Sequence, residues 1–132
     1  MADQTKAGRK HVFAIDGSVE FLNTVRELFQ VQGYAVTTTN FTPDSFAQIG
    51  ALQPDALIID IALGQQVGWD LLEQLRADAH TAGIPALLVS TAPWLLAQAQ
   101  EQAQQFGTHR YLEKPGEIGA LLTHIRAMIG EA

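Results

Sequence analysis

Two rhythms of apolar and polar residues alternate along this chain. Short continuous runs, His11-Val12-Phe13-Ala14-Ile15, Ala56-Leu57-Ile58-Ile59 and Ala86-Leu87-Leu88-Val89, each stop at a polar residue. Runs of this length between turn-forming residues are strands buried on both faces. Between them the apolar residues recur at helical spacing. Phe21, Leu22, Val25, Leu28 and Phe29 define a first helix from Ser18 to Gln32, with Gly33 as its stop. Tyr34 to Thr39 is aromatic and β-branched, suiting a strand, and Thr42-Pro43 reads as an N-cap followed by proline at the first helical position, opening a helix to about Leu52. Gly64 and Gly68 bracket a loop, after which Trp69, Leu71, Leu72 and Leu75 form the next apolar stripe. Pro93 opens a Gln/Ala-rich, solvent-facing helix toward Gly107. Tyr111-Leu112-Glu113 is the last strand, and Ile118, Leu121, Leu122, Ile125, Met128 and Ile129 mark the last helix.

Five strands thus alternate with five helices. Parallel strands need crossover helices, so the pattern predicts an α/β fold: a doubly wound five-stranded parallel sheet with right-handed connections, a (βα)5 sandwich of flavodoxin-like topology. A polar tail (1–10), one domain (11–129) and a short tail (130–132) account for the 132 residues.

Composition narrows the function classes. At 47% hydrophobic and 17% charged, with a mean hydropathy of +0.05, the chain is neither disordered nor a membrane span. The polar N-terminus carries no secretory signal, which places the protein in the cytoplasm as an expectation. Zero cysteines exclude a disulfide framework, a thiolate zinc site and a thiol nucleophile. The net charge of −6 understates the acidity of the fold, because from His11 onward 13 acids face 5 bases. Nucleic-acid binding needs clustered Lys and Arg, so a protein partner is expected rather than nucleic acid or a membrane.

The chemistry collects at strand ends. Asp16 follows the first strand, Asp60 the third, Ser90 the fourth and Lys114 the fifth. In an open parallel sheet these carboxyl ends share one rim, where ligands bind. A polar strand end is by itself commonplace, because the chain is emerging into water. Two carboxylates, a hydroxyl and an ammonium on one rim suit phosphoryl chemistry, with an acid to accept and a hydroxyl and cation to hold phosphoryl oxygens. There is no GxSxG elbow to make Ser90 a hydrolase nucleophile, and no GxxxxGK or GxGxxG loop to bind a nucleotide. An aspartyl-nucleophile phosphatase would need an acid at position 62, which is Ala.

The segments AIDG (14–17), IIDIALGQQVG (58–68), PALLVSTA (85–92) and YLEKP (111–115), in this order, resemble the receiver domain of bacterial two-component response regulators, a CheY-like fold, over about residues 11–129. The resemblance implies that Asp60 accepts a phosphoryl group from a histidine kinase or phosphotransfer protein. It also implies that Ser90 is the switch hydroxyl, Lys114 the cation pairing with the phosphoryl group, and Tyr111 the aromatic that reports the state. Mg²⁺ would be held by Asp16, Asp60 and the backbone carbonyl of Ala62. The chain would be a regulatory domain and not an enzyme, with output to a downstream protein or through a homodimer formed by the fourth helix, fifth strand and fifth helix.

The chain departs from the family pattern in three places. Gly17 stands where the family has a second acid, which predicts weak Mg²⁺ binding and raises the alternative of a pseudo-receiver, a phosphorylation-independent interaction module. Thr91 replaces the usual small residue after the switch hydroxyl, so it narrows access to Asp60 or caps the next helix. Leu63-Gly64 stands where Met-Pro is common. Lys114-Pro115 is expected to be a cis peptide bond, as the family generally has there. With one receiver occupying nearly the whole sequence, any signal is expected to leave through the surface of this fold.

Overall fold

The computed structural model describes residues 9–40, 44–61, 67–103, 109–113 and 118–131. Ten elements follow in strict alternation: β1 (His11–Ile15), α1 (Val19–Val31), β2 (Ala35–Thr39), α2 (Ser45–Leu52), β3 (Ala56–Asp60), α3 (Val67–Ala77), β4 (Ala86–Ser90), α4 (Pro93–Ala103), β5 (His109–Glu113) and α5 (Ile118–Ile129). All five strands are parallel in one sheet of order β2-β1-β3-β4-β5. The order reverses direction between β1 and β3, which makes their carboxyl ends the switch point of the sheet.

Side chains alternate across a strand, so each apolar run feeds two cores. Phe13, Ile15, Leu57, Ile59 and Leu88 meet Ile49 of α2, Leu72 and Leu75 of α3 and Leu96 of α4 on one face. Val12, Ala14, Ile58, Leu87 and Val89 meet Leu22, Val25 and Phe29 of α1 and Leu121, Leu122 and Ile125 of α5 on the other. That double cover explains why β1, β3 and β4 read as unbroken apolar runs, whereas the edge strand β2 carries three threonines at intermediate exposure.

The helix ends match local chemistry. Ser18 is the N-cap of α1, its Oγ accepting from the Phe21 N–H at 3.2 Å. Gly33 takes φ +96, the left-handed conformation that ends a helix and is open to glycine without a Cβ penalty. Four boundaries differ from the sequence reading. The N-cap position of α2 is Asp44 and not Thr42; residues 42 and 43 lie outside the described set. α3 begins at Val67, so Gly68 falls in its first turn rather than closing the loop. β5 starts at His109, two residues before Tyr111, because pairing with Ala86 extends it. Tyr34 stands just before β2 and is 1% exposed. It packs edge-on against Phe29 at 5.4 Å and donates from its hydroxyl to the Gly130 carbonyl at 2.7 Å.

Candidate functional site on the strand-end rim

The parallel register brings three of the expected residues to the same edge. Ile15 pairs with Ile59 and Asp60 with Val89, so Asp16 stands one step past β1, Asp60 ends β3 and Ser90 ends β4. Each is delivered by an apolar strand that cannot shift by one residue without turning its core face outward.

Asp16 is 1% exposed. Its backbone N–H donates to the Thr39 carbonyl at 3.3 Å, and its Oδ1 accepts from the Ser18 N–H at 2.8 Å. This Asx turn leads straight into the Ser18 cap, so the start of α1 and the orientation of the carboxylate are one structure. The sequence reading placed Ser18 at the start of the helix but missed its part in holding Asp16. The signal, a hydroxyl two residues after the aspartate, was present.

Asp60 is partly exposed, while Ser90 is 0% exposed. The Ser90 Oγ accepts from the Ala92 N–H at 3.1 Å. The carbonyl of Ala92 accepts from Leu95 and Leu96, so the α4 cap position belongs to Ala92 and not to Thr91, which is exposed beside it. Tyr111 pairs with Leu88 and Glu113 with Ser90, which places Tyr111 two residues before the partner of Ser90. It packs half-buried against the core cluster containing Leu96, and burial raises the pKa of its phenol, keeping it neutral. Trp69 packs partly on the same cluster. Lys114, Pro115, Leu63, Gly64 and the Ala62 carbonyl lie outside the described residues.

Gly17 is exposed, and a Cβ built there would meet nothing within 4 Å. Its φ is outside the left-handed region, so neither packing nor backbone requires glycine. Among the described residues no group of three or more His, Cys, Asp or Glu could hold a metal ion. Asp16 and Asp60 stand at the ends of adjacent strands, and two carboxylates are within the number Mg²⁺ ordinarily takes while keeping several waters. No helix among the described residues is long and apolar enough to cross a membrane.

Comparison with known proteins agrees with this geometry. The family model for the response regulator receiver domain matches residues 12–126. Protein RcaC of Microchaete diplosiphon is 33% identical over 106 residues, 79% of this chain and 16% of that protein. The chain thus spans about a sixth of the length of that relative. The polar-differentiation response regulator DivK of Brucella ovis is 22% identical over 123 residues, covering 93% of this chain and 98% of DivK. Among solved structures, the receiver domain of the sensor histidine kinase PA1611 of Pseudomonas aeruginosa, described with a magnesium ion in its active site cleft, superposes with a TM-score of 0.77. It is 19% identical, covering 93% of this chain and 99% of that one. With five parallel strands, five helices and its acids at the sheet's switch point, the chain belongs to the family of response regulator receiver domains, of CheY-like fold.

Proposed function

We propose that Asp60 is a phospho-acceptor fed by a histidine kinase or phosphotransfer protein. The observation carrying this reading is a partly exposed aspartate at the end of a central strand, between a buried aspartate and a buried serine on the neighbouring strand ends. Transfer breaks the phosphorus–nitrogen bond of a phosphohistidine as phosphorus bonds to an Asp60 carboxylate oxygen. The imidazole keeps the electron pair and is reprotonated from solvent. Asp16, held by the Ser18 N–H, and Asp60 would hold Mg²⁺, weakly without a second acid at position 17, and the Ala62 carbonyl would be a further donor. When bound, the ion neutralises charge on the phosphoryl oxygens.

Ser90 then leaves the Ala92 N–H and donates its hydroxyl to a phosphoryl oxygen, while Lys114 pairs with another. The bond given up from the Ala92 N–H is worth about 0.5–1.5 kcal/mol net, and the new bond to a charged phosphoryl oxygen, about 1.5–3 kcal/mol, offsets it. Tyr111 responds on the side of the sheet that α4 covers. The face made by α4, β5 and α5 carries the output to a downstream protein or a second copy of the chain, in the cytoplasm. The domain is regulatory, and its chemistry is confined to its own phosphorylation and dephosphorylation.

The test is acetyl phosphate with Mg²⁺, read by intact mass. A gain of one phosphoryl that disappears in Asp60→Asn supports acceptance, and no gain in the wild type refutes it. Beryllofluoride titration adds a second readout. Trp69 is partly buried and Trp94 is 56% exposed, so a Trp94→Phe variant isolates the Trp69 signal. Gly17 favours one other reading, the phosphorylation-independent pseudo-receiver. Partner binding unchanged in Asp60→Asn and in Gly17→Asp would support that module and overturn the phospho-switch.

A further inference from the structure

We propose that Arg110 of β5 and His124 of α5 form an acid-released latch that holds the last helix on the edge strand. The Arg110 Nη1 lies 3.3 Å from the His124 Nδ1, and both side chains are half-buried. A guanidinium has donors only, so Nδ1 must be the acceptor, and the contact exists only while the imidazole is neutral with its proton on Nε2. Protonation of Nδ1 removes the acceptor and sets two cations against each other at hydrogen-bond distance.

Among the described residues the surroundings offer the imidazolium no counter-charge. α5 packs on α1, β3 and β5. The core cluster it joins presents Leu22, Val25 and Phe29 from α1 and Ala56 and Ile58 from β3, none of them titratable. On α5 itself, Arg126 turns to the Gln32 side-chain oxygen at 2.9 Å and to Glu131 at 3.2 Å. From β5, Arg110 is the charge that His124 meets. Burial first, and Arg110 second, hold the His124 pKa below the ordinary histidine value.

β5 is an edge strand, paired only with β4, so loosening α5 uncovers one side of it. That the latch thereby changes partner affinity rests on the output face proposed above. The latch itself does not, and its test is independent of phosphorylation.

The experiment follows the assigned His124 ring resonances by NMR through an acid titration, together with hydrogen exchange of the α5 amides. The ring should titrate below about pH 6.5. Protection of the α5 amides, corrected for intrinsic exchange, should fall at least about fivefold across the same transition, while β1 amides hold. His124→Asn places an uncharged acceptor at the position of Nδ1 and should abolish the acid-linked loss. Arg110→Gln should move the His124 midpoint upward. A wild-type midpoint at or above the ordinary histidine value overturns the proposal, as does the same loss of α5 protection in His124→Asn. Should the Asn variant not fold, the wild-type titration and the Arg110→Gln shift decide alone.

Discussion

Replacing Gly17 by aspartate adds a carboxylate next to Asp16 on the rim, and the structure says how the fold will take it. The added Cβ meets nothing within 4 Å and the backbone is not left-handed. Relief of unfolded-state entropy alone favours such a change by about 0.4–1 kcal/mol. Against it stands repulsion by Asp16 and Asp60. A like charge at about 4 Å costs ~1 kcal/mol in bulk water and ~4 kcal/mol at the effective dielectric near a protein surface. The metal-free variant is therefore expected to be unchanged to a few kcal/mol less stable. A divalent cation reverses the sign of that interaction, so Mg²⁺ affinity should rise at least about tenfold. At saturating metal a tenfold gain is worth about 1.4 kcal/mol of added stability by linkage.

The assay is thermal melting in EDTA and in a series of MgCl2 concentrations, with Gly17→Ala to isolate the backbone effect and Gly17→Asn to isolate shape from charge. The wild type should show a small Mg²⁺-dependent shift and Gly17→Asp a larger one saturating at lower concentration, with Ala and Asn tracking the wild type. If the aspartate variant gains no more from Mg²⁺ than Gly17→Asn does, the missing acid is not what limits the metal, and the account of this rim is wrong.

Tyr34→Phe keeps the edge-on contact with Phe29 but deletes the bond to the Gly130 carbonyl. It should cost about 1 kcal/mol and lower the melting temperature by about 2–6 °C; an unchanged melting curve would show that this bond does not fasten the end of α5. Ser90→Ala leaves the Ala92 N–H without its acceptor, so a loss of about 1 kcal/mol is expected, with Asp60 still phosphorylated but the Trp response to beryllofluoride gone. A response equal to that of the wild type would remove Ser90 from the switch. The phenols of Tyr34, buried, and Tyr111, half-buried, have pKa values raised chiefly by burial. A folded-state value above the unfolded one means stability is complete below about pH 10 and is lost as pH rises through the folded values. Urea midpoints measured from neutral to strongly alkaline pH should fall in that window, with a shallower fall in Tyr34→Phe. In acid the sign is opposite for His124, whose lowered value makes its contribution present above about pH 6.5 and lost as pH falls below it.

Most of the architecture was already written in local periodicity. β1, β3 and β4 announce themselves because both their faces are buried, and α1 because its stripe, its Ser18 start and its Gly33 stop agree. Asp16, Asp60 and Ser90 were legible for the same reason. Each ends an apolar run, and parallel strands bring such ends to one rim. Lys114 and Ala62 lie outside the described residues. The tertiary structure alone decided that β2 and β5 are the edges and that Ala92, not Thr91, caps α4. It also decided that Ser18 anchors the Asp16 carboxylate through its backbone. The ties of Tyr34 to Gly130, 96 residues away, and of Arg110 to His124 left no mark in the pattern. A period of two or of 3.6 records which side of an element faces apolar surroundings. It carries nothing about which distant polar atom will stand opposite, because that depends on how whole elements dock, and only the packed sheet and its helices set those distances.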